Sequence, residues 1–74
     1  MPLFNMVIAD KLFHFNRVYT VDSIKYHVSV KDDYFPQNFV MEKRGGVWQI
    51  VQAPMPPDWI LALENELGKA IEVH

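Results

Sequence analysis

Cysteine is missing altogether from the 74-residue chain. Its absence excludes a disulfide framework, a thiolate zinc site and a cysteine nucleophile, and fits a reducing compartment. Charge of one sign is lacking as well: seven Lys and Arg against nine Asp and Glu leave a formal net charge of −2. The cations are scattered except for Lys43-Arg44, a poor electrostatic match for a phosphate backbone. Of only three glycines, the adjacent pair Gly45-Gly46 lacks the spacing and the following helix of a phosphate loop. Hydroxyl nucleophiles are limited to Ser23, Ser29 and Thr20, none of them in a Gly-x-Ser-x-Gly setting. Long apolar runs are missing too. The N-terminal stretch MPLFNMVIADK breaks at Asn5 and Asp10 and has no basic leader, so it is expected neither to direct secretion nor to span a bilayer. A cytoplasmic protein with no membrane partner is the expectation. Internal repeats and low-complexity tracts are absent.

What is present is apolar. Half the residues are hydrophobic and 14% aromatic, far from the composition of disorder, so the chain is expected to form one packed domain over residues 1–74, near the lower size limit for folding without staples. The segment from Pro57 to Glu72 carries a sustained helical stripe. At about 100° per residue, Trp59, Ile60, Leu63, Leu67, Ala70 and Ile71 fall within roughly 120° of one another, the width of a core-facing face, leaving Glu64, Asn65, Glu66, Lys69 and Glu72 outside it. Pro57 suits a first helical position and Asp58 the positive end of the helix dipole.

A lone stripe needs a surface to cover, and the rest of the chain supplies strands. Leu3–Ala9 alternates as a short strand, although a helix through Leu3, Phe4, Val7 and Ile8 also fits. Leu12–Val21 reads as a second strand with Phe13, Phe15, Tyr19 and Val21 on one side, and Arg17 as a misfit to be absorbed by a bulge or by a packed stem. Ile24–Lys31 has the cleanest period of two. A two-residue Asp22-Ser23 turn would pair Val21 with Ile24, Tyr19 with Tyr26 and Phe15 with Val30. DDYFPQN, residues 32–38, reads as a loop. Phe39–Arg44 and Val47–Val51 form a hairpin about Gly45-Gly46, ended by the prolines of 54–57. The expected fold is α+β: an antiparallel β-meander of four to five strands with one C-terminal helix packed across one face.

No constellation of residues carries chemistry in this reading. In the two-residue register His27 lies opposite Val18, and His14 sits four residues further along, roughly 13 Å away at 3.3 Å per residue, too far to share a metal ion. Asp32 and Asp33 read as turn residues, and Glu64 and Glu66 flank the stripe on opposite sides. Neither catalysis, a cofactor, a metal nor a small-molecule substrate is expected; a pocket lined by Arg17, Tyr19 and Tyr26 is the one enzymatic alternative.

Two features exceed the needs of a core. Valines interleave the polar outer sheet face, among them Val18, Val40 and Val51, and Tyr34-Phe35 tops the longest expected loop. Leu61, off the helix stripe, would extend such a surface. These residues lead to the expectation of a small protein-interaction or structural module that engages a protein partner or itself, as a homodimer. A weak nucleic-acid-binding sheet surface using Lys25, Lys31, Lys43 and Arg44 is the second reading.

Overall fold

Strict alternation places Ile24–Lys31 at the centre of the fold. In a computed structural model, which describes residues 3–19, 24–31, 36–51 and 55–73, this segment is β3, flanked by β2 (Lys11–Tyr19) and β4 (Pro36–Arg44). β1 (Leu3–Ile8) and β5 (Val47–Ile50) form the two edges. All five strands are antiparallel neighbours in chain order, β1-β2-β3-β4-β5. Two short helices follow, α1 (Asp58–Leu61) and α2 (Glu64–Glu72). The fold is thus the expected α+β meander, with the N-terminal strand included.

The turns explain how the edges are joined. Gly45 and Gly46 both have positive φ, 59° and 82°, and Arg44 pairs with Val47. This is the two-residue hairpin whose twist matches its strands, and glycine adopts it without steric cost. Ala9 and Asp10 do the same work between β1 and β2, with φ of 52° and 65° but without glycine.

Alternation sends one set of side chains inward: Phe13 and Phe15 from β2, Tyr26, Val28 and Val30 from β3, Phe39 and Met41 from β4, Trp48 and Ile50 from β5, all buried. Ile60, Leu67, Ala70 and Ile71 meet them from the helices. The sheet curls around this core. Strands two apart in a sheet lie roughly 9–10 Å from each other, yet the rings of Phe4 and Tyr26 are 6.2 Å apart and those of Tyr26 and Trp48 5.4 Å. The rings lean together across a concave face, on which Phe4 also stacks on Phe15 at 4.5 Å. α2 lies along β5 and reaches β1 as well, so it closes the open side between the two sheet edges. Gly68 lets it come close: a Cβ at that position would sit 3.0 Å from Trp48 Cβ.

Three expectations need correction, and of the two accounts of Arg17 the bulge is excluded. The β2–β3 register is shifted by two residues, pairing Phe15 with Val28, Phe13 with Val30 and Tyr19 with Ile24. A shift of two leaves every side chain on its face, so alternation alone does not distinguish the registers. The expected Asp22-Ser23 turn falls among residues outside those described. Arg17 pairs with Tyr26 on the inner side in an unbroken ladder, half-buried, with no bulge.

β4 starts at Pro36 rather than at Phe39, with proline as the first residue of the strand, a position that suits its missing amide. The helix, finally, is interrupted at Ala62-Leu63. Leu63 has φ −97° and ψ 3°, its amide bonds Ile60 O at 2.9 Å, and Leu67 N restarts the helical pattern on Leu63 O. A tightened three-residue bond therefore separates α1 from α2.

Candidate functional site

The inner face is spent on the core, so any site on the sheet belongs to the outer face. There the register lays out rows running across the strands. Asn5, His14, Ser29 and Asn38 make one row, and Asn16, His27 and Val40 the next. The side chains of His14, Asn16, His27, Ser29, Asn38 and Val40 line a depression of about 530 Å³. Right-handed twist makes a sheet concave along one diagonal, and here the small side chain of Ser29 deepens it.

The register correction changes the relation of the two imidazoles. His14 pairs with Ser29 and His27 with Asn16, so the histidines are diagonal neighbours, roughly 7–8 Å apart at the backbone, rather than the 13 Å of the shorter turn. The assumed Asp22-Ser23 turn was the sole basis for separating them. Asn5 Oδ1 accepts a hydrogen bond from His14 Nδ1 at 2.6 Å, so the lone pair of the neutral ring resides on Nε2.

Charge on this face is already engaged. Glu42 accepts from Arg44 Nε at 2.9 Å and pairs with Lys25 at 3.3 Å. The Arg44 hydrogen bond first, then that of Lys25, hold the Glu42 carboxyl below its usual range. Lys43 lies instead on the helix side, 2.7 Å from Glu72, whose carboxyl is lowered chiefly by that contact. Three of the four cations of the nucleic-acid reading are therefore paired with carboxylates, and the fourth, Lys31, is exposed at the far end of β3.

The residues singled out for partner contact are dispersed. Val40 and Val51 come together, with Val51 N bonding Val40 O at 2.9 Å. Val18 pairs with Lys25, so β3 separates it from Val40. Val7 and Leu12, paired on β1 and β2, form another apolar spot, 64% and 48% exposed. The valines thus make separate islands divided by polar rows. Leu61 is half-buried and packs on the core. Tyr34 and Phe35 lie outside the described residues.

Among the described residues no three or more His, Asp or Glu side chains gather as a metal cluster, and no helix is long and apolar enough to cross a membrane. No protein-family model, curated protein or solved structure matches the chain.

One structural contact was not foreseen from the spacing. Glu64, placed by periodicity on one flank of the buried stripe, accepts a hydrogen bond from the backbone amide of Ile50. Glu64 borders the buried stripe beside Ile71 at about 100° per residue, and from that flank it reaches the sheet edge.

Proposed function

We propose that the protein is a small cytoplasmic interaction module, acting by binding rather than by catalysis, and that it engages a protein partner or a second copy of itself through the outer face of its sheet. The observation that carries this reading is the depression on that face, edged by half-buried Val40 and floored by amide, hydroxyl and imidazole groups. Helices cover the inner face and leave the outer one to solvent. A wall of hydrogen-bonding groups beside a small apolar edge has the mixed character of a non-obligate protein interface. The nucleic-acid alternative draws less support, because Glu42 sits between Lys25 and Arg44, pairs with both and offsets one of their two charges.

The test is sedimentation velocity from micromolar to millimolar protein, alongside amide chemical-shift mapping of the same samples. Self-association should move the amides of His27, Ser29, Asn38 and Val40 most. A monomer throughout, together with a native partner that perturbs only the helices, would dismiss the outer-face reading.

A further inference from the structure

We propose that His14 and His27 form a two-imidazole site for a late first-row divalent metal ion, zinc or copper, on the outer sheet face. Both rings lie on adjacent strands as diagonal neighbours and line one depression. Metal-ligating histidines characteristically donate their second ring N–H to an oxygen, which fixes the tautomer and makes the remaining nitrogen a better ligand. His14 has this arrangement: Asn5 Oδ1 takes its Nδ1 proton at 2.6 Å and leaves Nε2 as the donor atom. Asn5 is therefore the positioning residue of the site.

The surrounding chemistry selects the ion. Asn16, Ser29 and Asn38 line the depression without contributing a carboxylate, and the carboxylate across from Lys25, Glu42, is taken by cations. Magnesium and calcium need oxygen donors, mostly carboxylates, whereas neutral imidazole pairs suit zinc, copper and nickel. Water fills the positions that two histidines leave open. The site needs one chain alone, so it stands independently of the interaction reading above.

Titration of the full chain with zinc, read by calorimetry and by ¹⁵N shifts of the histidine rings, tests the proposal. One ion per chain is expected, with Nε2 of His14 shifted, a His27 nitrogen shifted in the same titration, and magnesium giving no heat. His14→Gln and His27→Gln, exposed substitutions that leave the circular dichroism unchanged, should each reduce the zinc heat to baseline. Asn5→Ala should weaken binding by about tenfold or more while the apo ring of His14 loses its preference for the Nδ1-protonated tautomer in the ¹⁵N spectrum. His74→Ala should change nothing. Undiminished zinc binding in the His14→Gln/His27→Gln double variant, or one ion per two chains, would overturn the single-chain site. A monomer whose native partner perturbs only the helices, with zinc binding intact, would overturn only the interaction reading.

Discussion

The Glu64 carboxylate accepts a hydrogen bond from the backbone N–H of Ile50 at 2.8 Å, joining the first turn of α2 to the edge strand β5. An edge amide that points away from its sheet is otherwise an invitation to another chain. Here a side chain satisfies it. Glu64→Ala removes a charge-assisted acceptor from a half-buried amide and should cost about 1.5–3 kcal/mol, with Glu64→Gln retaining part of that. Urea midpoints of the three proteins measure the difference; equal midpoints would show that water replaces the carboxylate at no loss.

Gly68→Ala sets two effects against each other. Replacing a helix-interior glycine gains about 1 kcal/mol in propensity, while forcing a methyl against a packed neighbour costs roughly 1–3 kcal/mol. The new Cβ would stand 3.0 Å from Trp48 Cβ, an atom next to the backbone of a strand that Glu64 holds in place. The clash should win by about 1 kcal/mol, seen as a lower thermal midpoint and an altered near-ultraviolet signal from Trp48.

The turn at Ala9-Asp10 is strained in a way that the turn at Gly45-Gly46 is not. Ala9 has φ 52°, where an L-residue with a plain Cβ pays roughly 1–2 kcal/mol. The double substitution Ala9→Asn, Asp10→Gly supplies the dipeptide preferred in this turn type and should stabilise the protein by about 1 kcal/mol. A denaturant midpoint that falls would mean that Asp10 makes a contact worth more than the strain.

Acid should loosen two surface ties together. The Glu42 and Glu72 carboxyls are held below their ordinary value of 4.5 by Arg44 with Lys25 and by Lys43, respectively. A depressed carboxylate binds its proton more readily in the unfolded chain, so its contribution is complete above pH 4.5 and is lost as pH falls through its lower folded value. Stability should decline with acid below that point. In Glu42→Gln the decline should be shallower, and added salt should flatten it further, because Glu72 is exposed and Glu42 is only half-buried. A slope unaffected by Glu42→Gln would assign the acid sensitivity to other carboxylates.

Strand identity was legible because period-two alternation survives local uncertainty: Tyr26, Val28 and Val30 face inward in any even register. The register itself was not, since pairings that differ by two residues put the same side chains on the same face. That difference is silent for the core and decisive for the outer surface, where it brings His14 beside His27. The stripe of Ile60, Leu67, Ala70 and Ile71 correctly located the buried side of the helices. The break at Leu63 was hidden because nothing in the sequence, neither glycine nor proline, marks it. Arg17 was recognised as anomalous and remains so, half-buried on the inner face opposite Tyr26, because a shift of two residues leaves it on that face.

The reach of α2 from β5 to β1 sets an order of assembly. Every strand neighbours its predecessor, so the sheet can zip up through short-range hairpins. The helix alone must find the opposite end of the chain, and that step waits on closing the longest loop in the molecule. The last piece to dock should be the first to let go: amides of α2 should exchange with solvent through a partial opening, while those shared by β2 and β3 wait for the whole protein to come apart.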